Sequence, residues 1–276
     1  MIQDIAPHVM HNEYKPRDPR ADDYVFSFDG NNVHLNHDNL FFQVKDLPDQ
    51  RHLDYLFRID DTAFFLSDLK DLAVSSINTY NLRTLEPKWL SFAAITGWQI
   101  DAWMQINKRC GRCGHLMVKD TRERAMRCPS CGNLVYPRIM PAVIVAVIND
   151  KGELLVTKYA HGRYQKYALV AGYNEIGESI EQTAIREVKE ETGLDVGSLT
   201  YYKSQPWGFT STLLFGFYAH VIGSDAITMD SNELRVARWV KPTDDIDTGG
   251  NASLTSEMIH NFIEDSARRP LTSGRG

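Results

Sequence analysis

Cysteine is scarce in this chain and confined: of 276 residues only four are cysteine, all between Cys110 and Cys131. A disulfide framework spread through the molecule is thereby excluded. Long hydrophobic runs are missing as well. The longest purely apolar stretch, Ala142–Ile148, is too short to span a bilayer, and Met1–Asp23 is polar with charges of both signs, so no secretory signal is expected. Positive charge is not in excess. Thirty Lys and Arg against 36 Asp and Glu leave a net charge of −6, which argues against a broad nucleic-acid-coating face but not against a small basic pocket. The nine histidines show no ligand spacing, His115 reading as exposed, and no internal repeat is found. What remains is a chain with 43% hydrophobic residues, long enough for two domains with real cores. It is expected to be a soluble cytoplasmic protein with no membrane partner.

The few cysteines carry a pattern. Cys110 and Cys113, then Cys128 and Cys131, form two C-x-x-C pairs fourteen residues apart, each followed by a glycine, Gly114 and Gly132. Two thiolates on a tight knuckle present converging sulfurs, and two knuckles close a tetrahedron about Zn²⁺. Two disulfides in a secreted protein are the competing account, weakened by the lack of a signal peptide. With all four positions filled by protein, one zinc per subunit would be structural, so catalysis must be sought elsewhere.

A second pattern runs from Gly172 to Leu194. It reads Gly172, five residues, Glu178, seven residues, then Arg186-Glu187-Val188-Lys189-Glu190-Glu191-Thr192-Gly193-Leu194. Ser179 is a candidate N-cap and Gly193 a stop, so Ser179–Thr192 is expected to be a helix. Ile180, Ala184 and Val188 recur every fourth residue as a core stripe. Glu187, Glu190 and Glu191 stand three and four apart, which puts three mutually repelling carboxylates on another face and asks for a cation. Mg²⁺ or Mn²⁺ suits carboxylate and phosphate oxygens. The plainer alternative is a solvated acidic helix face.

This stretch resembles the signature of the Nudix hydrolases at every specified position, including the apolar slots filled by Val188 and Leu194. Ser204-Gln205-Pro206-Trp207-Gly208-Phe209-Thr210-Ser211 is similar to the S-Q-P-W-P-F-P-x-S motif of the NADH pyrophosphatase branch, which joins a Nudix domain to a four-cysteine ribbon. Glu123-Arg124-Ala125 and Tyr136-Pro137-Arg138 resemble that branch too, so the likeness covers roughly Cys110–Trp239. The resemblance implies an α+β fold: an α/β/α Nudix sandwich with a mixed sheet, after a zinc ribbon and a small α+β domain. It implies hydrolysis of NAD(H) to nicotinamide mononucleotide and AMP, with removal of NAD caps from RNA or cleavage of ADP-ribose as alternatives. A non-catalytic nucleotide- or partner-binding module is the remaining reading. Two or more Mg²⁺ or Mn²⁺ per subunit would be held by Glu187, Glu190, Glu191, Glu233 and the Ala171 carbonyl. Arg186 would orient Glu178 or another box carboxylate, since a guanidinium fork holds a carboxylate in fixed geometry. Which glutamate acts as general base stays open. Glu123, Tyr136, Tyr173 as a base-stacking ring, Gln205–Thr212 (Gln205, Pro206, Trp207, Gly208, Phe209, Thr210, Ser211, Thr212) and Thr255 would line the substrate site. A homodimer is implied by the branch alone.

The chain also departs from the branch. Ser204–Ser211 is expected to be a loop in which Gly208 and Thr210 stand where the branch has proline, freeing two φ angles; Tyr173 and Asn174 replace its usual phenylalanine and valine; Thr255 replaces an alanine. These changes touch the pocket rather than the metal chemistry. The organisation expected is a domain over 1–107, a ribbon over 108–135, a Nudix domain over 136–267 and a disordered tail over 268–276. Strands are expected at Tyr24–Phe28, Leu40–Val44, Tyr55–Ile59 and Ala63–Leu66, the last two a hairpin at Asp60-Asp61. A helix should run from Lys88 to about Asn107 after Pro87. Later strands are expected at Ala142–Ile148, Glu153–Lys158, Leu213–Val221 and Val236–Val240, with a closing helix from about Ser256 to Ala267.

Overall fold

The computed structural model describes residues 1–48, 51–161 and 165–268. They group into two compact units, one made of Ile2–Arg138 with Gly208–Ser211 and the other of Met1, Ile139–Trp207 and Thr212 onward.

The first unit begins with eight short strands: β1 (Met10–His11), β2 (Tyr24–Phe26), β3 (Phe28–Asp29), β4 (Asn32–Leu35), β5 (Phe42–Gln43), β6 (Asp54–Ile59), β7 (Thr62–Leu66) and β8 (Ser75–Asn78). They form a five-stranded sheet, β1-β6-β7-β2-β5, and a three-stranded sheet, β3-β4-β8. The expected hairpin joins β6 to β7, with Asp60 at a φ of 51° in its turn. Helix α1 (Lys88–Ile106) follows Pro87 as expected. Phe26 stacks on Phe64 at 5.5 Å and meets Phe41 edge-on at 5.3 Å, so aromatic packing knits this core. Asp23 is buried and held by both terminal nitrogens of Arg17 at 2.7 Å and by the main-chain N–H groups of Arg20 and Ala63. Burial alone would raise its carboxyl, but the Arg17 fork and the two N–H donors hold it below the ordinary value. Strands β1, β4 and β8 were not expected; at two to four residues they are too short to stand out from the sequence. The ribbon belongs to this unit as its own sheet, β11-β10-β9, from β9 (Val118–Lys119), β10 (Met126–Arg127) and β11 (Leu134–Val135).

The second unit contains β12 (Met140–Ile148), β13 (Leu154–Tyr159), β14 (Val170–Tyr173), α2 (Ile180–Thr192), β15 (Val196–Trp207), β16 (Thr212–Val221), β17 (Leu234–Val240) and α3 (Leu254–Arg268). The sheet runs β15-β16-β12-β13-β17, with β14 also on β12. It is mixed, because β12 is parallel to β16 and antiparallel to β13 and β14. Successive residues of β12 point to opposite faces. Val143, Val145 and Val147 pack with Ala184 and Val188 of α2, while Ile144 and Ala146 pack with Leu254, Met258 and Ile259 of α3. A central strand buried on both faces is why this segment reads as an unbroken apolar run. The α/β/α sandwich is as expected.

One expectation is corrected. Ser204–Trp207 is not loop but the end of β15, and only Gly208–Thr210 forms a 3-10 turn. The strand lies at the sheet edge, where a proline is tolerated, and Pro206 stands in register with Leu213 of β16. The expected tail falls outside the described residues except for Arg268, the last residue of α3. Among the described residues no helix is long and apolar enough to cross a membrane.

Candidate active site

Helix α2 is set by its ends. The Ser179 hydroxyl accepts the Gln182 N–H while the Gln182 side chain accepts the Ser179 N–H, a reciprocal capping box, and Gly193 closes the helix in the left-handed region. Its apolar stripe docks on the sheet, which turns Glu187 and Glu191 inward beside β14. The three box glutamates therefore differ in environment. Glu191 is only 2% exposed, whereas the Glu190 side chain is 60% exposed. Gly172 of β14 lies directly under Glu187: a Cβ there would stand 1.9 Å from the Glu187 Cδ and 2.2 Å from both carboxylate oxygens. Any side chain at this point would have to displace the Glu187 carboxylate.

Arg186 gathers the remaining carboxylates. Its Nε donates to Glu178 Oε1 at 2.6 Å and Nη2 to Glu178 Oε2 at 3.0 Å, a two-pronged pair. Nη1 donates to Glu187 Oε1 at 2.8 Å and Glu190 Oε2 at 2.9 Å, and Nη2 also reaches the Tyr173 carbonyl at 2.9 Å. All five N–H donors of this guanidinium are thus engaged, which fixes its plane against the carboxylates. The Arg186 hydrogen bonds hold the Glu178 carboxyl down at about 2.

Glu191 is the exception. Its Oε2 is buried without a hydrogen-bond partner. Burial first, then the charges of Glu187 and Glu233, push its carboxyl up to about 8, although a main-chain hydrogen bond from Ala171 opposes them. Glu187 is likewise raised, by burial and by Glu190 and Glu233, against the pull of Arg186. An orphaned buried carboxylate oxygen beside two further carboxylates is a costly arrangement unless a cation completes it. The donor set, all oxygen, suits a hard divalent ion. Asp230, whose charge also raises Glu191, was not foreseen; it stands three residues before Glu233 with no motif to mark it.

Among the described residues the group of metal-binding side chains that already converges is the cysteine set. Its four sulfurs lie within 4.8 Å of one another, with Cys110–Cys131 at 3.7 Å, Cys113–Cys128 at 3.5 Å and Cys113–Cys131 at 3.4 Å. A tetrahedron with metal–sulfur bonds of 2.3 Å has edges of about 3.8 Å, so the sulfurs stand nearly where zinc would hold them. Gly114 and Gly132 adopt φ of 77° and 72°, which lets each knuckle turn back so that their N–H groups reach the carbonyls of Cys110 and Cys128. Main-chain donation from Arg112 lowers the Cys110 thiol to about 6, while, against main-chain donation from His115, hydrogen bonds with Cys131 and Cys128 push the Cys113 thiol up to about 12. His115 is exposed, as expected.

The other anticipated residues fall as follows. Tyr173 is 49% exposed and its hydroxyl lies 3.4 Å from Thr212 Oγ1. Thr255 is half-buried in the first turn of α3. Gln205 is fully buried, donating to the Ala252 carbonyl and accepting the Leu254 N–H, and so braces the start of α3. Pro206 and Thr210 are exposed, and Trp207 and Ser211 half-buried. Within the ribbon-bearing unit, Phe209 is 5% exposed and stacks on Tyr80 at 5.0 Å. The turn that carries it is not loosened by Gly208: a Cβ there would lie 2.8 Å from Ile95 Cγ2 of α1, so the glycine fits a close approach. Also in this unit, the Tyr136 hydroxyl donates to Glu123 Oε1 at 3.0 Å, and Asp120 accepts the Glu123 N–H at 3.2 Å.

Residues 138–259 match the NUDIX domain, and residues 107–136 match the NADH pyrophosphatase zinc ribbon domain. The chain is 37% identical over 161 residues to the NAD-capped RNA hydrolase NudC of Vibrio atlanticus, covering 58% of this chain and 59% of that protein. It is 39% identical over 145 residues to the protein of the same name from Pectobacterium atrosepticum, covering 52% of this chain and 55% of the other. The match thus spans little more than half the length of these curated relatives. A crystal structure of a NUDIX hydrolase from Nitrosomonas europaea is 21% identical, covers 59% of this chain and 94% of its own, and has a TM-score of 0.48. The chain thus carries a Nudix domain directly preceded by an NADH pyrophosphatase zinc ribbon domain.

Proposed function

We propose that this Nudix-domain protein hydrolyses the phosphoanhydride of NAD(H), adding water across the P–O–P link to release nicotinamide mononucleotide, reduced when NADH is the substrate, and AMP. The observation that carries the reading is the buried, unpartnered Oε2 of Glu191 beside Glu187 and Glu233. These three carboxylates, with the Ala171 carbonyl and Glu190 at the rim, would hold Mg²⁺ or Mn²⁺. Such ions neutralise charge on the phosphoryl oxygens and lower the pKa of bound water. The protein's own part is positional. Gly172 leaves room for the Glu187 carboxylate, Arg186 fixes its direction, and Glu178 holds Arg186. Tyr173 would stack on a base, a contact of about 1–3 kcal/mol for an aromatic ring. Tyr136, Glu123, the Gln205–Thr212 segment and Thr255 are proposed as the remaining substrate residues, Gln205 and Phe209 acting by bracing rather than by touch. Zinc in the ribbon is structural, and the cytoplasm is the compartment in which its four thiols would stay reduced. A homodimer is proposed from the family resemblance.

A second reading, removal of an NAD cap from RNA, is favoured by the name of the relatives and uses the same bond and the same residues. One assay separates the readings: NADH, NAD⁺, ADP-ribose, FAD and NAD-capped RNA with Mg²⁺ or Mn²⁺, products resolved by chromatography. Cleavage of NADH and NAD⁺ to mononucleotides is expected. Failure to cleave any substrate would overturn the hydrolase reading.

A further inference from the structure

Asn174 stands where the branch usually has valine, and the structure gives this amide a task that valine could not perform. Its Nδ2 lies 3.3 Å from the Glu178 carbonyl and 2.6 Å from Thr183 Oγ1. The carbonyl can only accept, so the nitrogen must face this way. Its second hydrogen then occupies a lone pair of the Thr183 hydroxyl, whose own proton is left to point onward. Two acceptors are in reach, Glu178 Oε2 at 2.9 Å and the Ser179 carbonyl at 3.2 Å, and the ionised carboxylate is both nearer and stronger. Thr183 is fully buried, so its hydroxyl has no water to turn to. Glu178 Oε2 is in turn one prong of the pair with Arg186, whose Nη1 holds Glu187 and whose Nη2 holds the Tyr173 carbonyl.

We propose that Asn174 and Thr183 are positioning residues: a one-directional chain of hydrogen bonds, Asn174 to Thr183 to Glu178, that sets Arg186 and through it the Glu187 carboxylate for a divalent metal. Asn174 is anchored at its other end, where its own N–H donates to the Pro141 carbonyl at 3.1 Å, so the chain starts from the sheet rather than from a mobile side chain. It also couples the metal side of the site to Tyr173, the neighbour of Asn174, because the same guanidinium holds both. The inference rests on the metal chemistry proposed above. Partners that orient metal ligands typically matter by about 10- to 100-fold in metal affinity or activity.

The test uses the zinc-loaded 276-residue chain and Mn²⁺ alone as probe. Mn²⁺ affinity is measured by calorimetry for wild type, Asn174→Val, Thr183→Val and Thr183→Ser, alongside melting temperature and the KM and kcat for NADH. Asn174→Val and Thr183→Val are expected to bind Mn²⁺ about tenfold more weakly, with kcat falling and KM little changed, while Thr183→Ser, which keeps the hydroxyl, stays within about twofold of wild type. Asn174→Val restores the branch residue at a half-buried position, so it keeps the test open if Thr183→Val fails to fold. Unchanged Mn²⁺ affinity in a folded Asn174→Val protein would overturn the proposal, and so would a Thr183→Ser loss equal to that of Thr183→Val. Wild-type protein that bound no Mn²⁺ would instead overturn the metal reading on which the chain depends.

Discussion

Gly172 and Glu187 are in such close contact that the glycine's missing Cβ defines the space the carboxylate fills, with a hypothetical Cβ only 1.9 Å from Glu187 Cδ. One residue lies on strand β14 and the other on helix α2, so this contact sets how the two elements meet at the site. It also makes the glycine of the box a steric condition on a proposed metal ligand.

Gly172→Ala should therefore displace Glu187 while leaving the sheet paired, since β14 is held to β12 by main-chain bonds. A shift of about 1 Å in a reacting group can cost about 100-fold in rate. Steady-state kinetics with NADH should show kcat falling by that order with circular dichroism unchanged. An alanine variant with wild-type kcat would refute the steric role.

Glu191→Gln should abolish turnover and leave the fold intact. The amide keeps the shape of the side chain but removes the negative charge a divalent ion requires. Melting temperature and Mg²⁺-dependent hydrolysis measured together check this, and full activity would remove Glu191 from the metal site.

Cys110→Ser should lose zinc and stability together. Binding of a structural zinc contributes about 10 kcal/mol or more in small ribbons at neutral pH. Metal analysis and thermal melting are the measurements; a variant that melts at the wild-type temperature without zinc would contradict a structural role.

Asp23→Asn tests the pH dependence of the ribbon-bearing unit. Its folded carboxyl sits below the ordinary value, so its stabilisation is present above the unfolded pKa near 3.9 and is lost as pH falls through the lower folded value. Breaking a buried pair by removing one partner costs about 3 kcal/mol. The variant should be less stable than wild type by about that much at pH 7, and the gap should close below about pH 4. A gap independent of pH would show that the ion pair is not its source.

Much of the site was legible because it is local. Ser179, Gly193 and the spacing of Glu187, Glu190 and Glu191 are helix geometry, and two C-x-x-C knuckles with trailing glycines are turn geometry. Strand β15 was not legible, since an edge strand with a polar outer face lacks the alternation that marks a half-buried one. Nor was the fate of Phe209, whose ring is buried against Tyr80 from a segment more than a hundred residues earlier.

Residue order alone determined which groups are present and how they repeat along one helix or one knuckle: a carboxylate triad, an arginine among them, and four thiols in two pairs. Only the tertiary structure decided which of those carboxylates is stripped of water. Glu190 and Glu191 are neighbours in the chain, yet one is mostly solvated and the other buried with an unpartnered oxygen. Desolvation depends on what packs around a group from distant segments, here β14 and the stretch that carries Asp230 and Glu233. Spacing along a helix sets direction, whereas burial sets charge and the demand for a metal.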